Sequence, residues 1–337
     1  MHSATPETSI LLPSYNGDDV LNVTLGNILR QSYTDYELII NDDCSSDATE
    51  EVARSFDDPR IKFATNVRNL GYPGNLEVCR QRAKGRFLFL MGQDDILARD
   101  AIKRTIGALS ADDEIGAVTR PFFWFDQSVE HPVRMTVEMN PLQDEVVHIH
   151  DSCDRIMTTF NTVGQLTGLA LRASYVDRPF HKDVFPCHIY PFASIMKKHP
   201  IVFLKDFTVA VRIATSQCRH VSSIYDKSPI QSWAEMYESV FCEPEFAELR
   251  HVLVRENLGT NYLGFIQIRN YSTYRNLLRE IGLLIGYRPM NLLSPSFWFF
   301  AIGCMAMPPF LLIPLVDWYK TNIHAKSLTG IKFEYDI

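Results

Sequence analysis

The feature of this sequence that most constrains its fold is an alternation of apolar runs and amphipathic stretches over about the first 120 residues. The apolar runs Thr8–Leu12, Tyr36–Ile40 and Arg86–Met91 predict strands. Asp19–Gln31, between the first two runs, carries apolar side chains near helical spacing, and Arg99–Leu109, after the third run, is also predicted to form a helix. Strands that alternate with helices form mostly parallel sheets with helices on both faces, so the sequence predicts an α/β fold.

The remaining segments complete this pattern and suggest two regions. Further strands are predicted at Ile61–Ala64, Ile115–Thr119, Val163–Arg172, Ile201–Leu204 and Phe207–Ile213. Further helices are predicted at Asp47–Ser55 (with a capping box from Asp47 to Glu50), Tyr72–Ala83, Ile189–Lys198, Gln231–Phe241, Glu245–Glu256 and Tyr274–Leu284. Residues 121–162 are less regular. We therefore expect an α/β domain over residues 1–220 and a helical region over residues 221–337.

The segment Phe297–Val316 is 20 uncharged residues long. As one helix it would extend about 30 Å, the thickness of a bilayer core. Trp298 and Trp318 lie at its ends, where interfacial aromatic side chains occur, but three prolines interrupt it. We expect a membrane-associated region, as a spanning helix or an interfacial hairpin. The alternative is a pair of buried helices.

Charge and cysteine content restrict the class of protein. The net charge of -7 disfavours a nucleic-acid binder. Seven cysteines without a C-x-x-C pair are typical of free thiols in a reducing compartment. Residues 1–7 have neither a basic start nor an apolar core, so no secretory signal is predicted. With the apolar segment, this predicts a position at the cytoplasmic face of the cell membrane.

Polar clusters directly follow three of the predicted strands, at Ser14–Asn16, Asn41–Asp43 and Gln93–Asp95. In an open parallel sheet the carboxyl ends of the strands line the ligand crevice, so we expect these clusters to converge. No G-x-G-x-x-G follows the first strand, and no P-loop motif occurs. Carboxylates such as Asp94 and Asp95 suit Mg²⁺ or Mn²⁺ together with substrate phosphates.

Each carboxylate also has a structural interpretation. Asp42 and Asp47 are suited to capping the following turn or helix. Asp95 is suited to a turn or cap before the helix at Arg99. These alternatives stay open at the level of sequence.

Four motifs resemble family 2 glycosyltransferases with the GT-A fold. They are PSYN at 13–16, IINDDCSSD at 39–47, NVRNLGYPGN at 66–75 and LFLMGQDDIL at 88–97. The resemblance covers residues 6–120 in register and continues loosely to about residue 215. It implies transfer of a sugar from a nucleoside-diphosphate donor to an acceptor hydroxyl.

The resemblance also implies a set of donor-site residues. Those in the nucleotide-sugar site would be Pro13, Tyr15, Asn16, Asp43, Arg68, Asn69, Asp94 and Asp95. Among them, Asp43 would bind the base, and Asp94 would hold Mn²⁺ or Mg²⁺. The metal would neutralise the diphosphate as it leaves.

Two positions depart from the family pattern. Gly92 stands where most members have the first Asp of the metal motif. In this respect the chain resembles a subset of the family associated with O-antigen sugar transfer, which includes abequosyltransferase-like enzymes. His188 and Ile189 stand where the family has a Glu-Asp pair that supplies the general base. The candidates for that role are His188 itself and Asp183 upstream. The alternatives are a packed, hydrogen-bonded histidine and a loop-capping aspartate.

The acceptor that this resemblance and the apolar segment suggest is a saccharide, expected to be linked to a polyprenyl diphosphate in the synthesis of surface polysaccharide. One alternative is a nucleotidyltransferase, although PSYNGDD lacks the basic residues of its usual first loop. Another is a non-catalytic module that binds a nucleotide sugar.

Overall fold

The computed structural model describes residues 5–325, 328 and 331–337, which form two compact units. The first unit comprises the described residues of Met1–Arg212 and of Gly330–Ile337, and the second those of Ile213–Thr329. The sequence predicts a boundary after residue 220, with all later residues in the second region. The units instead divide after Arg212, and residues 331–337 belong with the first.

The described residues form two sheets in the first unit. Their strands are β1 (Thr8–Ser14), β2 (Tyr36–Asp42), β3 (Ile61–Thr65), β4 (Phe87–Leu90), β5 (Ile96–Leu97), β6 (Ala117–Thr119), β7 (Phe122–Phe125), β8 (Pro132–Met135), β9 (Glu145–Val147), β10 (Ala170–Arg172), β11 (Ile201–Phe203) and β12 (Val209–Arg212). The eight-stranded sheet has the order β3-β2-β1-β4-β10-β6-β11-β9, and the four-stranded sheet has the order β5-β12-β7-β8.

The centre of the large sheet is parallel and buried. β1 pairs in parallel with β2 and with β4, and β2 pairs in parallel with β3. Nearly every side chain of β1, β2 and β4 is buried, although successive side chains of a strand point to opposite faces. Both faces are therefore covered, which explains why these strands are continuous apolar runs. β10 and β9 run antiparallel to their neighbours, so the sheet is mixed.

The predicted alternation of strands and helices through residue 120 is confirmed. The helices of the first unit are α1 (Asp18–Leu29), α2 (Thr49–Arg54), α3 (Gly71–Arg82), α4 (Ala101–Ser110), α5 (Cys153–Val163) and α6 (Ile189–Met196). In α4, the side chains of Ile102, Ile106 and Leu109 are buried at helical spacing, as expected of an amphipathic helix.

The predicted strand Val163–Arg172 is wrong over most of its length. Val163 ends α5, and only Ala170–Arg172 forms a strand, with a loop between the two. Gly168 in this loop has a φ of +83°, which an extended strand does not allow.

The second unit is helical. Its helices are α7 (Gln217–His220), α8 (Pro229–Val240), α9 (Ala247–His251), α10 (Leu263–Tyr271), α11 (Tyr274–Tyr287), α12 (Pro295–Ala306) and α13 (Pro309–Tyr319). The side chains of Ser228 and Thr273 accept hydrogen bonds from backbone N–H groups and cap α8 and α11. The predicted helices at 231–241 and 274–284 are confirmed. That at 245–256 is regular only over Ala247–His251 and continues as wider turns over Val252–Asn257.

The apolar segment Phe297–Val316 is divided between α12 and α13, which are 12 and 11 residues long. Pro308 and Pro309 lie at the division, where proline ends one helix and begins the next. Within the described part of the chain, we find no helix whose length and apolar character would let it cross a membrane.

Candidate active site

The three polar clusters lie at one edge of the large sheet, as predicted. β1 is the middle strand, with Ser14 opposite Asp42 of β2 and Leu11 opposite Leu90 of β4. Because these strands are parallel, the residues that follow their carboxyl ends meet at the same edge. The clusters that the sequence separates by about 80 residues are therefore neighbours.

The loop after β1 is held by a side chain that follows β4. The amide of Gln93 accepts a hydrogen bond from the N–H of Tyr15 (2.8 Å) and donates one to the carbonyl of the same residue (3.1 Å). The carboxamide oxygen of Asn16 accepts from the N–H of Ser46 (3.0 Å). Pro13 lies at the end of β1 and is half-buried, whereas Tyr15 and Asn16 are exposed. Gln93 belongs to one of the polar clusters predicted to converge here, but its hydrogen bonds to Tyr15 were not predicted, because the two residues are distant in sequence.

The carboxylate of Asp43 organises the loop between β3 and α3. One of its oxygens accepts hydrogen bonds from the side chain of Asn66 (2.8 Å) and from the N–H of Leu70 (2.8 Å). Arg68 and Asn69 lie between these two donors and are exposed. The structure thus brings Asp43, Arg68 and Asn69 into one cluster at the ends of β2 and β3. A nucleoside recognised by these residues would contact a preformed loop.

Asp42 and Asp47 have structural roles. Asp42 accepts hydrogen bonds from the N–H and the hydroxyl of Ser45 in a tight turn. Asp47 accepts from the N–H groups of Asp18 (3.2 Å) and Thr49 (3.1 Å), at the starts of α1 and α2. The predicted capping box at Asp47 is absent, because α2 begins at Thr49 without a side-chain cap.

Asp94 and Asp95 face different surroundings. Asp95 is 1% exposed, and its oxygens accept hydrogen bonds from the hydroxyl of Thr167, the amide of Gln165 (2.8 Å) and the N–H of Arg212 (3.0 Å). Burial and the adjacent Asp94 raise the pKa of Asp95 to about 7. The burial and the hydrogen bonds show that the side chain of Asp95 faces the interior. This position differs from the expected place in the nucleotide-sugar site and from the alternative of a helix cap.

Asp94 is the member of the pair that remains partly exposed. Its carbonyl accepts a hydrogen bond from Nε of Arg212 (3.2 Å), which places that basic residue beside the turn. Within the described residues, no group of three or more His, Cys, Asp and Glu side chains forms a metal centre. Magnesium and manganese typically take one or two carboxylates and complete their shell with water and phosphate. Asp94 fits a metal held in that way.

His188 lies in the core rather than at a reacting surface. Its Nε2 is 2.8 Å from the carbonyl oxygen of Val163, so Nε2 carries the proton, and Nδ1 is 3.2 Å from the hydroxyl of Tyr72 and accepts from it. Burial lowers the pKa of His188 to about 4, and the ring is neutral at pH 7. These contacts match the alternative interpretation of His188 as a packed, hydrogen-bonded histidine. They differ from what is expected of a general base, which would face the acceptor.

Asp183 lies in the loop before α6 and is mostly buried. Its N–H donates to Nδ1 of His181 (3.1 Å), and one of its carboxylate oxygens lies 3.7 Å from the same nitrogen. The assignment of Asp183 as a general base stays a prediction.

Comparison with protein families shows what the chain is similar to. Residues 9–162 match the family model described as Glycosyl transferase family 2. Over 101 residues the chain is 34% identical to the UDP-Glc:alpha-D-GlcNAc-diphosphoundecaprenol beta-1,3-glucosyltransferase WfgD of Escherichia coli, covering 30% of this chain and 40% of that protein. It is 33% identical over 100 residues to the GalNAc(5)-diNAcBac-PP-undecaprenol beta-1,3-glucosyltransferase of Campylobacter jejuni, covering 29% and 32%. The matches span less than half of either relative.

Solved structures extend the similarity in fold over most of the chain. Residues 1–349 of S. aureus TarS in complex with UDP-GlcNAc superpose with a TM-score of 0.65 at 14% identity, covering 92% of this chain and 91% of that one. The mannosyltransferase PcManGT of Pyrobaculum calidifontis, in complex with GDP-Man and Mn²⁺, has a TM-score of 0.54 at 16% identity, covering 90% and 87%. The first unit therefore has a GT-A-like fold.

Proposed function

We propose, from the membership of residues 9–162 in glycosyl transferase family 2, that this protein transfers a sugar from a nucleoside-diphosphate donor to a hydroxyl of a saccharide acceptor. The observation that carries the proposal is the convergence of the Asp43 cluster and Asp94 at the carboxyl edge of the parallel strands. A nucleoside against Asp43, Arg68 and Asn69 would direct its diphosphate along this edge toward Asp94.

Different residues bind different parts of the donor. The carboxylate of Asp43 and the exposed loop at Arg68 and Asn69 bind the base and ribose, and the loop of Pro13, Tyr15 and Asn16 covers the nucleotide. Asp94 would hold Mn²⁺ or Mg²⁺, which would supply positive charge to the departing diphosphate when bound. Arg212, whose guanidinium lies beside Asp94, adds a second positive charge at the same place.

The donor site is tested by a thermal-shift screen of UDP, GDP, CDP and dTDP, each with and without Mn²⁺ or Mg²⁺. A nucleotide at 100 times its Kd stabilises the folded protein by about 2.7 kcal/mol. We expect one nucleotide to raise the Tm only with metal, and Asp94→Ala to abolish that rise. The matched control is Glu114→Ala, an exposed carboxylate before the amino end of β6, which retains the rise. No rise with any nucleotide in the wild-type protein would contradict the proposal.

We also infer that the second unit contacts a membrane and that the acceptor is linked to a lipid. Large apolar side chains of α12 and α13 are at least half exposed, namely Phe299, Ile302, Phe310, Leu311, Leu315, Trp318 and Tyr319. Exposed apolar side chains with Trp and Tyr among them suit the bilayer interface. Relatives whose names specify diphosphoundecaprenol and PP-undecaprenol substrates support a lipid-linked acceptor. The position at the cytoplasmic face of the cell membrane is part of this proposal. Flotation with lipid vesicles tests this contact.

A further inference from the structure

One hydroxyl group connects both ends of the turn Gly92–Asp95, which we call the metal turn because it contains Asp94. The side chain of Thr167 is fully buried. Its oxygen accepts a hydrogen bond from the N–H of Gly92 (2.8 Å) and donates one to the carboxylate of Asp95. Since a hydroxyl has one proton and two lone pairs, Thr167 fulfils both roles at once.

The position of Thr167 is itself determined by buried contacts. The N–H of the next residue, Gly168, donates to the carbonyl of Leu90 (2.8 Å), which lies just before the metal turn. The guanidinium of the fully buried Arg120 donates to the carbonyl oxygens of Gln165 (2.9 Å) and Thr167. The loop that carries the hydroxyl is thus held on two sides.

The same contacts explain why residue 92 is glycine in this chain. A Cβ atom at Gly92 would lie 2.9 Å from a carboxylate oxygen of Asp95 and 3.0 Å from the hydroxyl of Thr167. Most family members, by the resemblance above, have Asp at this position. Here the hydroxyl and the inward carboxylate occupy the space that such a side chain requires. The absence of a carboxylate at residue 92 and the presence of the buried Thr167 hydroxyl are therefore linked, because the two groups would need the same space.

We propose that Thr167 is a positioning residue for the donor site. Its hydroxyl holds the metal turn in the conformation in which Asp95 points inward and Asp94 is left to bind the metal. It acts through Asp95 and the backbone of Gly92 and does not touch the donor. This inference rests on the proposed function, because it assumes that Asp94 binds the metal of a nucleoside-diphosphate donor.

The test measures the Mn²⁺ concentration that gives half of the maximal thermal shift with the nucleotide found in the screen. In the full chain, Thr167→Val removes the hydroxyl with little change of volume, and we expect it to raise this concentration by about tenfold. Thr167→Ser keeps the hydroxyl, and we expect it to stay within about twofold of wild type. If Thr167→Val does not fold, Thr167→Ala provides the same comparison with Thr167→Ser.

The matched control is Thr105→Val in α4. The hydroxyl of Thr105 is also fully buried but has no hydrogen-bond partner among the described residues. We expect this variant to keep the wild-type Mn²⁺ requirement, although it makes the same change in a buried position.

A double-variant cycle with Gly92→Ala gives an independent readout. The added methyl group would lie close to Thr167 and Asp95 and 3.3 Å from a carboxylate oxygen of Asp94, so we expect Gly92→Ala to raise the Mn²⁺ requirement by about tenfold, in part by direct contact with Asp94. Because Thr167→Ala removes one of these contacts, the double variant is expected to be no worse than the poorer single variant. Additive effects would overturn the inference.

The outcomes separate this inference from the proposed function. A wild-type protein with a metal-dependent shift and a Thr167→Val variant with an unchanged Mn²⁺ requirement would overturn the inference alone. A wild-type protein that a nucleotide stabilises without any dependence on metal would also overturn this inference alone, because the inference assumes a metal at Asp94. A wild-type protein that no nucleotide stabilises would overturn the proposed function, and this inference with it.

Discussion

Asp94 and Asp95 are adjacent in sequence, and their different surroundings give them different tasks. Asp95 accepts three hydrogen bonds in the interior, from the side chains of Thr167 and Gln165 and from the N–H of Arg212. Its carboxylate connects the metal turn, the loop before β10 and the end of β12. Asp94 stays partly exposed beside the guanidinium of Arg212. Stability is therefore expected to depend on Asp95 and metal binding on Asp94.

We predict that Asp95→Asn lowers the free energy of unfolding of the ligand-free protein by about 1–3 kcal/mol. In the variant, the NH₂ group of the amide replaces one carboxylate oxygen and faces hydrogen-bond donors. These donors are the side chains of Gln165 and Thr167 and the N–H of Arg212. Asp94→Asn is expected to cost less, because its side chain is partly exposed. Urea unfolding of both variants makes the comparison. An Asp95→Asn variant as stable as wild type would show that the hydrogen bonds of Asp95 contribute nothing net.

His188 is held as a neutral ring between Val163 and Tyr72. Its pKa is lowered to about 4 from an ordinary value of 6.5, so the unfolded chain binds more protons than the folded protein between these values. The contribution of His188 to stability is therefore fully present above pH 6.5 and is lost as the pH falls toward 4.

We predict that His188→Gln destabilises the protein at pH 7 and that this destabilisation shrinks as the pH falls to 4.5. The reason is that protonation of the His188 ring in the unfolded chain lowers the stability of wild type as the pH falls, whereas the variant has no such ring. The difference in free energy of unfolding between the two proteins is expected to shrink by about 2–3 kcal/mol over this range. Urea unfolding of both proteins at several pH values measures it. A constant difference between the two proteins would show that His188 titrates normally.

At the scale of elements, the loop between α5 and β10 shows what local pattern does not reveal. The stretch VGQLTGLALR is predicted as a strand because half of its residues are apolar. In the structure, buried Arg120 and Asp95 hold it as a loop through Gln165 and Thr167. These hydrogen-bond partners come from distant parts of the chain, and the sequence of the loop does not contain them.

The segment 331–337 packs against the four-stranded sheet of the first unit. The ring of Phe333 lies 5.0 Å from that of Phe123, centroid to centroid, and Ile331 and Tyr335 contact the same apolar cluster. The N–H of Arg99 donates to the carbonyl of Glu334 (2.8 Å). The alternation of apolar and polar side chains along this segment matches an extended chain with one covered face.

We predict that Phe333→Ala destabilises the first unit by about 2 kcal/mol, because a partly buried ring is removed from an apolar cluster. Lys332→Ala in the same segment is the control, since Lys332 is exposed. Thermal unfolding of both variants tests the difference. Equal Tm values for Phe333→Ala and wild type would show that the segment adds no stability.

At the scale of the whole molecule, charge and exposed apolar surface together define the expected membrane contact. The net charge of -7 opposes attraction to anionic lipids. The exposed apolar side chains of α12 and α13 instead favour binding by insertion into the bilayer interface, without charge attraction. Binding of this kind depends little on salt, because salt screens charges and does not weaken apolar contact.

We predict that the protein floats with phosphatidylcholine vesicles and that flotation persists at about 0.5 M NaCl, where charge attraction is screened. Phe299→Glu combined with Phe310→Glu is expected to abolish flotation. The control is Leu142→Glu, which changes an equally exposed apolar side chain of the first unit. A double variant that still floats would contradict the assignment of this surface.

The sequence by itself determined the α/β core, the convergence of the polar clusters and the resemblance to a family over residues 9–162. These features depend on local periodicity and on motifs whose residues are close in the chain, and β1, β2 and β4 show the first of them directly. Asp43 belongs to one of the polar clusters that follow predicted strands, whereas Arg68 and Asn69 were indicated only by the resemblance to the family.

Only the tertiary structure decided which way the polar side chains face. The inward direction of Asp95 depends on Thr167, 72 residues away. The neutral state of His188 depends on burial of its ring, which lies against Tyr72, 116 residues away. The return of residues 331–337 to the first unit depends on Phe123. Burial and hydrogen bonding between distant segments set these features, because the energy of a buried polar group depends on partners that its own stretch of sequence does not contain.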